Sequence, residues 1–312
     1  MTVQFGVHIG PQNATMSELR ALWQWLDNAG IDWISVWDHL YEVPAAGGTA
    51  PHFEAVATLA AIAADTARAR LGCLVFCSLY RNPGLLAKSA VTIDHLSGGR
   101  FELGIGSGWY GEEARAFGIS FPGQADRHEV LDSQARALQS LFAGDRVSRS
   151  GAGLSFDEAN CVPGPAGRLP LWIGGLGRRK TLRLAGAIAD GWNAAYISAS
   201  EFRDLNGVLD DWCAEAGRNA SDVERSINLM FSLSAGDPAR VRAEIERQWG
   251  DRADRVRNGS VTGRPQDVME QIAPYVTAGA RLVNVVIRPP WDADLLGSYV
   301  TEIVPAMREE WS

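Results

Sequence analysis

The stretch RNPGLLAKSAVTIDHLSGGRFELGIGSGW, from Arg81 to Trp109, decides the fold, because a helix, a tight turn, a strand and a glycine loop are predicted in it in that order. Pro83 suits the first turn of a helix, and Ser97-Gly98-Gly99 stops it. Four apolar residues between them recur at helical spacing and are predicted to face a core: Leu86, Ala90, Ile93 and Leu96.

A short strand is predicted next, from Phe101 to Ile105, and it leads directly into Gly106-Ser107-Gly108. Glycines lack side chains, so the backbone of this loop can approach a flat or charged ligand closely. The stretch therefore predicts a βα unit that delivers a loop to a binding site.

Seven more segments have the length and apolar character of strands. The eight predicted strands are Val3 to Ile9, Ile31 to Val36, Leu71 to Phe76, Phe101 to Ile105, Leu171 to Ile173, Gly191 to Ala195, Ile227 to Leu233 and Leu282 to Ile287. Helical segments alternate with them, which indicates an α/β fold, and the count of eight favours a closed (β/α)8 TIM barrel over an open sheet. We predict a single domain over residues 1–312, with an insertion loop at about 143–168.

The composition excludes several classes of protein. Lysine and arginine number 29 and aspartate and glutamate 37, giving a net charge of −8, which argues against binding to nucleic acid or anionic membranes. The N-terminal residues lack the pattern of a signal peptide, and no run of about 18 apolar residues occurs, so we expect a cytoplasmic protein. The four cysteines are scattered and have no partners at ligand spacing, which predicts neither disulfides nor a metal site.

Four blocks of sequence resemble the bacterial luciferase-like monooxygenase superfamily, and specifically its branch that uses the deazaflavin coenzyme F420. They are, in order, GVHIGPQNATMSELRALWQWLDNAGIDWISVWDHLY at residues 6–41, the stretch quoted above, AFGISFPGQADR at 116–127 and PLWIGGLGRRKTLRLAGAIADGWN at 170–193. The resemblance implies a (β/α)8 barrel, a homodimer, and hydride transfer between F420 and a small organic substrate, by alcohol oxidation or double-bond reduction. Two alternatives stay open: an FMN-dependent monooxygenase of the same superfamily, and a non-catalytic flavin or deazaflavin carrier.

A glycine run lies between a predicted strand and a predicted helix. Backbone amides at a helix N-terminus, together with adjacent cations, form a seat for a phosphate. A glycine-rich turn with basic residues on the surface explains the same pattern equally well. The resemblance favours the phosphate, and it predicts cofactor contacts from Gly174, Gly175, Leu176, Gly177 and Arg178.

Trp37-Asp38-His39 follows the second predicted strand, where a barrel strand meets its functional loop. The resemblance places the aspartate at the polar edge of the flavin and makes the histidine a general base. Imidazole suits that role because its unperturbed pKa is about 6.5. The alternative is a salt-bridged Asp38 and a buried, hydrogen-bonded His39. We predict His39 and Asp38 as catalytic residues, Asp38 also as a cofactor contact, and Trp37 as part of the substrate pocket.

Leu74-Val75 matches the strand position at which the family has a non-prolyl cis peptide, bulged behind the flavin ring. Such a bond is rare and persists only where its surroundings enforce it. The resemblance also places Cys77 near the flavin, although a core thiol explains that residue almost as well. The cofactor contacts predicted in this region are Leu74, Val75, Cys77, Gly106, Ser107 and Gly108.

Trp109 departs from the family pattern. Sugar-phosphate dehydrogenases of this branch have a glutamate at this position, which serves as an acid near the substrate, and a tryptophan cannot donate a carboxyl proton. The departure argues against a glucose-6-phosphate dehydrogenase activity. We predict Trp109 and Tyr110 as residues of the substrate pocket, and Glu112 and Glu113 as solvated helix residues.

Overall fold

The computed structural model describes residues 2–43, 47–232 and 238–311. The strands are, in chain order, β1 (Gln4–Ile9), β2 (Trp33–Val36), β3 (Arg70–Cys77), β4 (Phe101–Gly106), β5 (Val147–Gly151), β6 (Leu154–Ala159), β7 (Leu171–Gly174), β8 (Gly191–Ala195), β9 (Glu224–Ser232), β10 (Ser260–Thr262) and β11 (Leu282–Ile287).

Eight of these strands form a closed parallel barrel in the order β1, β2, β3, β4, β7, β8, β9 and β11. The barrel closes because β11 pairs with both β9 and β1, so that Val285 lies between Leu229 and Val7. Each predicted strand overlaps one barrel strand, and the predicted (β/α)8 fold is confirmed. Leu233, at the predicted end of the seventh strand, lies outside the described residues.

Helices connect the barrel strands. They are α1 (Met16–Asn28), α2 (Ala55–Asp65), α3 (Pro83–Ser97), α4 (Gly111–Ala116), α5 (Gln124–Phe142), α6 (Thr181–Ile188), α7 (Ala199–Glu215), α8 (Pro238–Trp249), α9 (Ala253–Asn258), α10 (Pro265–Thr277), α11 (Ala293–Ser298) and α12 (Val304–Glu310), with 3-10 turns at Ala220–Asp222 and Gly250–Arg252 and a π-helical turn at Tyr299–Ile303. Within the described ranges, none of these helices has the length and apolarity needed to cross a membrane.

Helix α3 begins and ends as its sequence predicts. The Asn82 side chain accepts hydrogen bonds from the backbone of Gly84 and Leu85, and Gly98 ends the helix in the left-handed conformation at φ 70°. The predicted core residues Leu86, Ala90 and Ile93 are buried.

The prediction that Leu96 faces the core is wrong, because 50% of its surface is exposed. At 3.6 residues per turn, Leu96 lies about 280° around the helix from Leu86, whereas Ser97 returns to about 20°. Ser97 is accordingly the buried residue at this end of α3.

The insertion is not the irregular loop that the sequence predicts. It contains an antiparallel hairpin of β5 and β6, turned at Ala152 and Gly153, both of which have positive φ. Most hairpin side chains are exposed, and the buried ends are Val147 and Leu154. Polar strands without an apolar face give no strand period, which explains why the sequence did not predict them.

The barrel interior is filled from its amino-terminal end. Trp33 and Trp172 pack with ring centroids 5.7 Å apart, and Trp172 Nε1 donates to Glu102 over 2.5 Å. Higher in the barrel, the Asn284 and Asn193 side chains both donate to Asn228 Oδ1, at 3.0 and 3.1 Å. Side chains occupy the interior up to this layer, so the space inside the barrel above it opens toward the carboxyl ends of the strands.

Candidate active site

A cavity of about 630 Å³ lies at the carboxyl ends of the barrel strands. Most predicted site residues line it: Trp37, Asp38, His39, Leu74, Val75, Cys77, Gly106, Ser107, Gly108, Trp109, Gly174, Gly175, Leu176 and Gly177. Two predicted residues are not among its lining residues. Tyr110 packs behind Trp109, with the two rings stacked at 5.1 Å, and Arg178 is exposed outside the cavity.

One wall of the cavity is built by Val75, Gly106 and Gly174, and is called the Val75 wall below. The peptide bond between Leu74 and Val75 is cis, as the resemblance implied. A Cβ added at Gly106 would lie 2.6 Å from Val75 Cγ2, and one added at Gly174 would lie 2.6 Å from Val75 Cγ1. The Val75 side chain thus occupies the space that side chains on β4 and β7 would fill, which leaves a surface of backbone and one small aliphatic group.

Gly174→Ala is expected to lower the free energy of unfolding by about 1–3 kcal/mol, the usual cost of overpacking, because the new methyl group meets Val75. Gly164→Ala is the matched control, since a Cβ there has no atom within 4 Å. The control also corrects for the entropy that alanine removes from the unfolded chain. Urea unfolding measures the free energy of unfolding of the two variants. Equal values would contradict the packing of the Val75 wall.

The glycine run follows β7 and reaches α6. A Cβ at Gly177 would lie 2.8 Å from the hydroxyl oxygen of Thr181, and Gly175 has a φ of 129°, so both positions suit glycine. Helix α6 begins at Thr181 without a side-chain cap, which leaves its first amides unpaired by side chains. His128 of α5 lines the same end of the cavity, with Nε2 3.2 Å from the Thr181 hydroxyl.

Asp38 is buried and held by strong donors on both carboxylate oxygens. Arg81 donates to Oδ2 and Oδ1 over 2.7 and 2.8 Å, and the backbone N–H of Cys77 donates to Oδ2 over 2.9 Å. These contacts match the salt-bridge interpretation of Asp38, and they connect the loop after β2 with the end of β3. Burial raises the pKa of the Cys77 thiol to about 12, so this sulfur stays protonated and is a poor nucleophile.

His39 is held by Glu113 of α4. His39 Nδ1 and Glu113 Oε1 are 2.6 Å apart, and the Tyr80 hydroxyl donates to the same oxygen. Burial favours the neutral form of Glu113, but its bonds to His39, Tyr80 and the backbone outweigh burial and lower its pKa. An ionised carboxylate can only accept, so Nδ1 carries the proton and Nε2 is the ring nitrogen left to accept one.

The prediction that Glu113 is a solvated helix residue is wrong. Its side chain is fully buried, and its Oε2 accepts from the backbone N–H groups of Leu40 and Tyr41, at 2.7 and 3.0 Å. The donors lie more than 70 residues earlier in the chain, so nothing in the local sequence of α4 indicates them. Glu112, as predicted, is exposed.

Three arginines that the sequence analysis missed also line the cavity: Arg252, Arg255 and Arg288. Arg288 directly follows β11, and its position after a barrel strand could have identified it. The other two lie between α8 and β10, in a segment without a motif. Near Arg288, burial and then the charges of Arg288 and His39 lower the pKa of His8 to about 3, which keeps His8 neutral.

Among the described residues, no group of three or more His, Cys, Asp or Glu side chains is arranged to hold a metal ion.

Comparison with known proteins places this geometry in a family. Residues 1–258 match the model of the luciferase-like monooxygenases. The chain is 30% identical to the F420-dependent glucose-6-phosphate dehydrogenase of Beutenbergia cavernae over 90% of each chain, and 28% identical to that of Microbacterium testaceum over 99% of each. A solved F420-dependent secondary alcohol dehydrogenase, in complex with an F420-acetone adduct, has a TM-score of 0.85 at 19% identity, covering 98% of this chain and 99% of that one.

Fold and site together define a (β/α)8 barrel whose functional cavity lies over the carboxyl ends of its strands. The chain belongs to the luciferase-like monooxygenase family and, within it, to the branch of F420-dependent oxidoreductases. The predicted family and branch are both confirmed.

Proposed function

We propose that this chain transfers a hydride between coenzyme F420 and a small organic substrate, with His39 exchanging the proton that accompanies the hydride. The observation that carries the proposal is the His39–Glu113 pair, because the buried carboxylate holds Nδ1 and leaves Nε2 as the proton acceptor of the cavity. When bound, F420 supplies two-electron hydride chemistry at its deazaflavin ring.

The residues present fit such a cofactor. The Val75 wall offers a planar ring a surface of backbone and one aliphatic side chain, and glycines at 106 and 174 keep that surface clear. Gly175, Leu176 and Gly177 would hold the cofactor phosphate beside the N-terminus of α6, where the Leu182 amide already donates to the Gly177 carbonyl. Asp38 would position the loop that carries His39, through Arg81.

A protonatable nitrogen serves both directions of the reaction. In alcohol oxidation, His39 Nε2 takes the hydroxyl proton while the carbon loses hydride, and in the reverse reduction the same nitrogen returns the proton. Glucose 6-phosphate, the substrate in the names of two relatives, is not proposed here, because Trp109 stands where the resemblance places an acid. A homodimer, which the resemblance implies, is part of the same proposal.

The test is a paired titration of the purified protein with F420 and with FMN, followed by ligand fluorescence. We expect saturable binding of F420 at least tenfold tighter than that of FMN. A panel of secondary alcohols and enones then follows, with turnover read from the F420 absorbance. Preference for FMN, with substrate-dependent oxygen uptake, would favour the monooxygenase alternative, and F420 binding without turnover over the whole panel would favour the carrier.

A further inference from the structure

Three guanidinium groups line the cavity without a carboxylate partner. Arg252, Arg255 and Arg288 form no ion pair with any carboxylate in the part of the chain that the structure describes. Among the described residues that line the cavity, Asp38 is the only carboxylate, and Arg81 already binds both of its oxygens. A chain of net charge −8 thus places three guanidiniums, none of them in an ion pair among the described residues, at one site.

Arg288 is the most constrained of the three. Its Nη2 is buried without a hydrogen-bond partner, and the neutral Tyr196 hydroxyl is the polar side chain that acts on the guanidinium. Its other nitrogens donate to neutral acceptors, the Val43 carbonyl and the Met230 sulfur, both at 3.0 Å. Trp37 and Trp249 hold its guanidinium, with ring centroids 5.2 and 4.9 Å from Cζ. Burying a charge without a counter-charge costs free energy. The Arg288 guanidinium is therefore arranged to bind an anion that comes from outside the chain.

One of the other two guanidiniums lies close to the predicted proton acceptor. Arg252 Cζ is 4.0 Å from the ring centroid of Trp109, and the Trp109 ring is in edge contact with His39 at 5.2 Å. Arg255 donates through Nη2 to the carbonyl of Ala195, at the end of β8. Arg252 is therefore placed near the position where a reacting carbon would meet His39, and Arg255 is held at the end of β8.

We propose that the substrate carries an oxyanion group, a carboxylate or a phosphate, and that Arg252, Arg255 and Arg288 bind it. The planar fork of a guanidinium matches two oxygens of such a group. The inference rests on the proposed function, because it names the substrate class of the same site.

The position of the arginines in the barrel separates them from the predicted phosphate seat of the cofactor. That seat follows β7, whereas Arg288 follows β11, which is three strands further around the barrel, and Arg252 and Arg255 belong to the segment after β9. The arginines are therefore assigned to the substrate.

The test measures anion binding directly. The protein is titrated with inorganic phosphate and, separately, with propionate, at constant ionic strength in chloride, since exposed charges are screened by salt. Tryptophan fluorescence reports binding, because Trp37, Trp109 and Trp249 contact the guanidiniums. The same preparations are titrated with F420.

The variant is Arg252→Ala/Arg255→Ala, because both residues are exposed and lie outside the barrel strands, so we expect the barrel to stay folded. The matched control is Arg146→Ala/Arg149→Ala, two exposed arginines at the β5–β6 hairpin that do not line the cavity. We expect wild type and control to bind one of the two anions saturably, and the variant to bind it about 10- to 100-fold more weakly with unchanged F420 affinity. The anion that binds identifies a carboxylate or a phosphate substrate.

Three results would overturn the inference: no saturable binding of either anion by the wild type, equal anion affinity in variant and wild type, or a parallel loss of F420 affinity in the variant. The last would assign the arginines to the cofactor's own anionic groups. Failure of all preparations to bind F420 would instead reject the proposed function, and the anion titrations of the cofactor-free protein would still report on the arginines.

Discussion

Replacing His39 by alanine is expected to slow hydride transfer by about 10²- to 10⁴-fold, the range that a positioned general base contributes. The affinity for F420 should stay within about twofold, because the Val75 wall and the glycine run do not depend on the imidazole. The rate is read from the F420 absorbance in a single turnover, with an alcohol identified in the wild-type screen.

His95→Ala is the matched control, since this histidine lies on the exposed side of α3 and bonds to the carbonyl of Gly164. A rate for His39→Ala within threefold of the control would remove His39 from the mechanism. If His39→Ala loses F420 affinity as well as rate, His39 would be assigned to the binding of the cofactor instead.

Glu113→Ala is expected to lower the free energy of unfolding by about 3–5 kcal/mol, because several buried donors lose their shared acceptor and each unsatisfied donor costs about 1–3 kcal/mol. The substitution leaves the amides of Leu40 and Tyr41 and the hydroxyl of Tyr80 without their acceptor. Glu112→Ala, the exposed neighbour, should change this free energy by less than about 0.5 kcal/mol. Similar urea midpoints for the two variants would contradict the buried role of Glu113.

Glu113→Gln makes a pH-dependent prediction. The pKa of Glu113 is lowered in the folded protein, so the ionised form contributes stability that is fully present above the unfolded value of about 4.5 and is lost as the pH falls below it. The difference in unfolding free energy between wild type and Glu113→Gln should therefore be largest near pH 7 and should shrink below pH 4.5. A difference that stays constant through this range would mean that folding does not change the pKa of Glu113, and a stability of wild type relative to Glu113→Gln that rises as the pH falls from 7 would mean that Glu113 is protonated in the folded state.

Much of the fold could be predicted because its signals are local. Buried parallel strands are short apolar runs, and Asn82, Pro83 and Gly98 mark the ends of α3 by capping chemistry that acts within a few residues. The hairpin in the insertion escaped prediction because its residues Arg149 and Ser150 face solvent and give no apolar period.

The site residues also divide into those that the local sequence predicts and those that depend on distant parts of the chain. Gly106 and Gly174 could be predicted as site residues because each lies at the end of a predicted strand. Their need to be glycine could not, because it comes from contact with Val75 and depends on the packing of three strands. The partnership of His39 and Glu113 spans 74 residues, and no spacing rule predicts it. Arg252 and Arg255 were missed because a charged residue in a helical segment is ordinarily solvated.

The two walls of the cavity come from separate parts of the chain. The Val75 wall and His39 belong to residues 37–174, whereas Trp249, Arg252 and Arg255 belong to the segment that joins β9 to β10. Mutations in that connecting segment can therefore alter what the protein accepts while the machinery for its chemistry stays intact. Selection can thus act on this one segment to recruit the protein to a new metabolite, and exchanging the segment between relatives is the corresponding route for an engineer.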